Sequence, residues 1–494
     1  MDQPVLTASP ARHSRKSEQL LVLLFLFSLP FLNPWVRGDG VGYYAFARAP
    51  LIEHSLDFTR DYQHANESFR GPRLDESGQP KSEFRTPTGH LDNHFTTGPA
   101  ILWTPFLLLA HAGVLLARAL GSSVAADGFS APYRVAMALA TAIYAFLGLL
   151  LAFRLARQYV EERWALLATI SIWWASSLLV YMYFNPSWSH AHSAFTVALF
   201  IWYWHRTRSS RSLPQWILLA AITGLMLNVY YANALLLTVL LVEALPQYLA
   251  AFRNNTPSGS SAILSASELF FGHFLFAVVV LLCVLPIFIT RHIIYGSAFE
   301  SGYIPLRDWL WRSPVLLSVF FSSNHGLFTW TPILLLSIIG LFFFWRREPR
   351  VGGPFLAAFL AFYLFIACYP DWAGISSYGN RFFVSLTVLF IIGLAVFLDR
   401  FAQLFRSNRA ALATACSVIT LFVLWNAGLM FQWGAHLIPA RGPVSFSDVF
   451  QNQFLVVPRQ ITTQLESYLF RRKAMMQEIE QRDVEQLKEN PPPP

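Results

Sequence analysis

The stretch that decides the fold is Arg37-Gly38-Asp39-Gly40-Val41-Gly42-Tyr43-Tyr44, which leads into a long polar segment. That segment closes with His94-Phe95-Thr96-Thr97-Gly98-Pro99-Ala100-Ile101-Leu102-Trp103. An apolar run, 20–36, precedes it, and apolar runs dominate almost everything that follows. Connections of about sixty residues in a compact chain are functional or disordered rather than simple links. The segment 37–97 is therefore read as an active-site loop held at a membrane surface, with its acid in the first few positions.

The rest of the chain supports the membrane. Of 494 residues, 55% are hydrophobic and only 13% are charged, about half the charge of a soluble domain. Apolar runs of about twenty residues fall at 20–36, 98–118, 133–153, 164–183, 189–205, 214–231, 233–250, 268–290, 327–345, 353–369, 379–398 and 409–430, each close to a membrane-spanning length. The net charge of +8 is placed as a membrane protein places it. Arg206–Arg211, Arg346–Arg350 and Arg400–Arg409, with Arg154, Arg157 and Arg253 as weaker markers, tag cytoplasmic loops. No basic and aromatic stripe suggests nucleic acid. Cys283, Cys368 and Cys416 show neither metal nor disulfide spacing and read as small buried hydrophobes.

Threading the runs through those basic loops leaves one inconsistency, which disappears if 98–118 does not cross. With Pro99 and Pro105 as two breaks, it reads as re-entrant or interface-lying. The expected architecture is an all-α polytopic bundle of about 11–12 transmembrane helices with a long first extracytoplasmic loop. Residues 1–19 form a cytoplasmic N-terminus, 20–430 the membrane domain with the loop at 37–97, and 431–494 a surface-helix tail ending in four prolines. No internal repeat of the kind many transporters carry is evident.

On the outer side the polar residues gather. Asp39, flanked by glycines that permit close backbone approach, suits a general base toward an acceptor hydroxyl. Asp57 and Asp61 offer a second acid pair, and Asp92-Asn93-His94 a third cluster. His190 and His192 stand at the outer end of two spans; two ligands of mixed facing do not make a metal site. His325 belongs to a polar motif entering one span. Trp372, Tyr378 and Arg381 belong to another, where a cation at the apolar boundary is a functional candidate and a guanidinium fork suits a lipid phosphate.

The order of these motifs resembles the bacterial GT-C superfamily of membrane glycosyltransferases, near the protein O-mannosyltransferase and aminoarabinose transferase group. The likeness runs from about residue 20 to 400. It rests on Gly38-Asp39 with Tyr43-Tyr44, Leu56-Asp57-Phe58, His94 through Pro105, His325-Gly326-Leu327-Phe328 and Trp372 to Arg381. The resemblance implies an inverting enzyme of the inner membrane that needs no metal or cofactor. Such an enzyme takes a sugar from a polyprenyl-phosphate donor on the extracytoplasmic face. The acceptor would be a protein, lipid or glycan. By position it makes Asp39 the catalytic acid-base group and puts Arg381 at the donor phosphate. It also exposes a departure: Asn185, His190 and His192 stand where many relatives keep a second carboxylate, so that either Asp57 or Asp61 substitutes or the site uses one carboxylate.

Two other readings compete. A transporter or flippase would place charges near mid-membrane on broken helices, and Glu243 is the main candidate here. A non-catalytic envelope scaffold would use the tail as its docking element.

Overall fold

A computed structural model describes residues 15–252 and 266–489. The described chain is almost wholly helical, with isolated β-bridges at Leu74–Pro80 and Arg85–Leu91. Seven of its helical segments are long and apolar enough to cross a membrane: Gly98–Ala119, Ala131–Ala156, Tyr231–Ala251, Ser267–Tyr295, Pro349–Cys368, Arg381–Ala402 and Asn408–Gly434. The shorter helices Arg15–Ser28, Glu162–Trp174, His190–Thr207, Leu213–Val229 and Ile333–Arg347 join them. Each apolar run of the sequence thus carries a helix.

The charges sort the bundle into two ends. At one end Glu18 pairs with Arg154 at 2.7 Å and Arg157 at 2.9 Å. Arg347 reaches the Tyr159 carbonyl at 2.6 Å and Asp399 at 3.5 Å. Arg208 donates to the Tyr159 hydroxyl at 3.2 Å. Three basic loops therefore meet at the end where the first helix begins, as the threading expects. Arg253 lies outside the described residues. Glu243 is not a mid-membrane charge: it pairs with Arg211 at 2.9 Å and accepts from Trp204 Nε1.

The opposite end carries the polar loop. Segment 39–97 is folded around its own core of Tyr44, Phe46, Phe58, Tyr62, Phe69 and Leu91, shared with Trp103. Its polar centre is Arg48, whose side chain is fully buried between Asp61 at 2.6 Å and Glu53 at 2.8 Å. The guanidinium also lies 4.4 Å from the Phe129 ring.

Helix Gly98–Ala119 differs from its expectation in one respect and explains the other. It is unbroken, because Pro99 sits in the first turn, where no N–H partner is needed, and the chain runs on through Pro105. Gly98 abuts Asn228 and Val229. Trp103 Nε1 then donates to Thr141 at 2.9 Å, and His111 meets the Tyr133 hydroxyl at 2.6 Å. It therefore runs antiparallel to the first half of Ala131–Ala156, toward that helix's start and away from Arg154. Leu109, Leu116 and Leu120 are exposed along it.

The tail helices Val457–Phe470 and Arg472–Glu489 return to the same end. The tail reads from sequence as a surface helix; its last residues, 490–494, lie outside the described part. The cysteines are free, but the expectation that all three are buried holds for Cys368 alone: Cys283 is half-buried, and it fails outright at Cys416. That side chain is exposed on Asn408–Gly434, on a helix whose flank is lined by exposed leucines, among them Leu421 and Leu424.

Candidate active site

Asp39 is the first residue of helix Asp39–Arg48. Gly38 before it has φ +53°, and a Cβ there would lie 3.2 Å from the Trp188 ring. A Cβ on Gly40 would meet Ser187 Oγ at 2.0 Å. The two glycines let the start of the helix press onto the 185–189 turn, with the acid between them. Trp188 locks the contact by donating Nε1–H to the Arg37 carbonyl at 3.0 Å.

Arg381 comes from the far end of the chain, opening the 3₁₀ turn Arg381–Leu386. Its Nη1 donates to Asp39 Oδ2 at 2.6 Å. The guanidinium lies over Trp188, 4.7 Å from the ring centroid, and 5.6 Å from Phe382. Its side chain is 14% exposed against 32% for Asp39, so the cation is the more enclosed partner. A buried guanidinium needs a counter-charge, and Asp39 supplies it. Arg381 Nε is buried without a partner, which leaves the fork with a donor to spare.

This pair lies in the wall of a cavity of about 1590 Å³, larger than the ~300–1,000 Å³ of ordinary small-molecule sites. Around the pair the lining is polar and aromatic: Tyr43, Asn185, His190, Tyr230, Tyr231 and Tyr303. Ser189 Oγ donates to the Tyr43 hydroxyl at 2.9 Å, and burial pushes that phenol up from its ordinary range. Arg291 organises the 92–95 edge: it donates to the carbonyls of Asn93 and Phe95, each at 3.2 Å, and to the Tyr231 hydroxyl at 2.7 Å.

The other residues singled out from sequence divide into three groups. His94 and His190 line the cavity; His94 stands 3.5 Å from Asp92 and against Tyr303, and His190 sits among Tyr181, Trp188 and Tyr230. His325, Tyr378, Trp372 and His192 lie behind the wall. His325 stacks on Trp330 at 4.6 Å, and burial, then the Arg381 charge, holds its ring down to about 4, so it stays neutral. Tyr378 donates to Asn426 Oδ1 at 2.8 Å. The Trp372 carbonyl accepts from Asn380 at 3.2 Å, and His192 packs between Trp103 and Tyr144.

Asp57 and Asp61 belong to the third group, outside the cavity lining. Asp57 is used locally, accepting from the Thr59 backbone at 3.0 Å and hydroxyl at 2.7 Å. Asp61 is committed to Arg48. Neither carboxylate thus stands in the cavity lining beside Arg381. Removing one partner of such a buried pair costs about 3–5 kcal/mol. Asp61→Ala is accordingly expected to lower thermal stability by that amount, measured by melting in detergent, with activity retained in the fraction that remains folded.

Besides Asp39, Asp92 and Asp483, the cavity lining holds a further carboxylate, Asp371, which feels the Arg381 charge. Burial raises its pKa and the Arg381 charge pulls part of the way back. Its sequence signal was weak: an acid in Tyr369-Pro370-Asp371-Trp372, beside a span boundary, resembles any loop acid. Arg73 also lines the cavity from the polar loop, with its Nη1 on the Phe69 carbonyl at 2.9 Å; no local pattern distinguishes it. Among the described residues no cluster of three His, Cys, Asp or Glu side chains could hold a metal ion.

No family model and no curated protein matches the sequence. Among solved structures, the chain is similar to ArnT from Cupriavidus metallidurans in the apo state, with TM-score 0.46 and 13% identity over 85% of this chain and 71% of that one. Against the same protein bound to undecaprenyl phosphate the values are 0.47, 14%, 84% and 71%. Against the Archaeoglobus fulgidus oligosaccharyltransferase in complex with zinc and sulfate they are 0.49, 14%, 85% and 54%.

Proposed function

We propose that the chain is a polyprenyl-phosphate-sugar-dependent glycosyltransferase acting on the extracytoplasmic face of the inner membrane. The observation that carries this reading is the Asp39–Arg381 pair, 2.6 Å apart, in the wall of a large cavity. A lipid carrier presents its sugar phosphate at headgroup depth, so its enzyme needs a cation and a base at the end of the bundle. In this reading Arg381 supplies the cation and Asp39 the base, from positions 342 residues apart.

In this reading Arg381 takes the donor phosphate on its free edge. The phosphate competes with Asp39 for the guanidinium and so releases the carboxylate. Asp39 then accepts the proton of the acceptor hydroxyl as its oxygen attacks the anomeric carbon. The bond from that carbon to the phosphate oxygen breaks with inversion, and its electron pair leaves on the carrier phosphate. Arg381 stabilises that charge as it develops. Asp371 and His190 contact sugar hydroxyls, and the folded 39–97 loop limits water and hence donor hydrolysis.

The test offers the protein in lipid a panel of polyprenyl-phosphate sugars together with a membrane extract as the source of protein, lipid and glycan acceptors, and follows free carrier phosphate. Release with at least one donor, abolished in Asp39→Asn, is the expected outcome. No release with any donor, or unchanged release in that variant, overturns the reading. Sidedness has its own check: an impermeant thiol reagent added outside is expected to label Ser122→Cys and not Ser210→Cys. The reverse pattern would put the site on the cytoplasmic face.

A further inference from the structure

The cavity has a second compartment that none of the site residues above explains. Away from Asp39 and Arg381 its lining is mostly apolar, and the tail contributes Leu465, Met475, Met476 and Ile479 to it, beside Phe31 and Met430 and with Gln464 and Gln486 as polar members. The tail is tied down at its polar rim. Tyr468 donates to the Phe31 carbonyl at 2.7 Å, and Arg472 to the carbonyls of Pro30 at 2.6 Å and Leu32. Glu480 accepts from Asn66 at 3.0 Å and from the Ser68 backbone at 2.5 Å. Asp483 bridges Arg37 and His436, the latter at 2.8 Å.

A segment held so firmly by its polar groups could have closed onto the bundle. Instead it holds an apolar space open. An empty apolar void forfeits the dispersion contacts of its lining, and such voids take apolar guests rather than water. The two methionines suit a guest without fixed shape, because their unbranched side chains repack. On the same tail, Phe450, Phe454, Leu455, Leu469 and Phe470 are exposed, an apolar face of the kind that rests in the membrane interface. The tail residues and Arg381 line one and the same cavity.

We infer that the tail-lined compartment is the binding site for the polyprenyl chain of the phosphate-bearing lipid, and that the tail sets which chain lengths fit. This rests on the proposed function for the phosphate at Arg381, and it deepens that reading by naming where the lipid goes. The long apolar chain could come from a polyprenol or from a bilayer phospholipid, and the chain commits to the first: the compartment is continuous with the candidate transfer site.

The experiment measures binding to the full-length protein of three probes: undecaprenyl phosphate, farnesyl phosphate and dioleoyl phosphatidic acid. Leu465→Trp and Met476→Trp fill the compartment, with Leu465→Phe and Met476→Phe as milder versions should the larger ones fail to fold. Ile304→Trp fills the far side of the same cavity, where Ile304 is also a lining residue. The tail variants are expected to weaken undecaprenyl phosphate on the order of tenfold, to leave farnesyl phosphate unchanged, and to differ in both from Ile304→Trp. Undiminished undecaprenyl phosphate binding in the tail variants overturns the inference. So does a loss confined to Ile304→Trp, or phosphatidic acid binding as tightly as undecaprenyl phosphate with the same loss. The assay contains neither sugar nor acceptor. The expected binding pattern in a protein that transfers nothing therefore sinks the transferase reading alone, whereas transfer with unaltered binding in the tail variants sinks this inference alone.

Discussion

Asp39→Asn is expected to slow carrier-phosphate release by about 10²–10⁴-fold, the usual contribution of a positioned general base, while carrier binding holds or tightens. The second half separates a base from a structural residue. In the resting site Asp39 is the counter-ion of Arg381, so an incoming phosphate must compete with it. An amide of the same shape keeps the fold, gives up the charge and leaves Arg381 free for the phosphate. Equilibrium binding of undecaprenyl phosphate beside single-turnover release distinguishes the two effects. A loss of binding parallel to the loss of rate would make Asp39 a scaffold residue.

Arg381→Ala is expected to lower both, with turnover falling about 10²–10³-fold, as for the loss of one donor aimed at developing charge. It removes the phosphate contact, the counter-charge of Asp39 and the cation over Trp188 together. Arg381→Lys should recover binding in part but little of the rate, because a point charge lacks the planar fork that binds a phosphate bidentately. The double variant is expected to be no slower than the worse single one, since residues that act as a unit lose their function once. Additive losses would mean that the two side chains work separately and that the 2.6 Å contact is incidental.

Much of this site is visible in sequence because membrane proteins segregate polarity. Asp39 and Arg381 each stand at the edge of an apolar run, and the basic loops tell which edges share a face; nothing more is needed to bring residues 342 positions apart to one end. Asp57 and Asp61 defeat the same logic. In sequence they are acids in a polar loop, just as Asp39 is, and only the burial of Arg48 beside Asp61 shows that its charge is already spoken for. Asp371 is the converse, an ordinary loop acid until the cavity gives it a place. Pro105 misleads for a local reason: the loss of one helical hydrogen bond did not break a helix already packed through Trp103 and Leu107, both buried. The tail is the least legible part. Its contacts with the first loop join residues more than four hundred positions apart, such as Arg37 and Asp483, and pairings of that range leave no periodicity to read.

The most direct measurement is single-turnover release of carrier phosphate by wild type and Asp39→Asn, each preloaded with the donor that supports turnover and then given the acceptor-containing membrane extract. The expected result is equal loading, with release in the wild type and none in the variant on the same timescale. Equal release from both would contradict the assignment of Asp39 as the base on which the proposed mechanism depends.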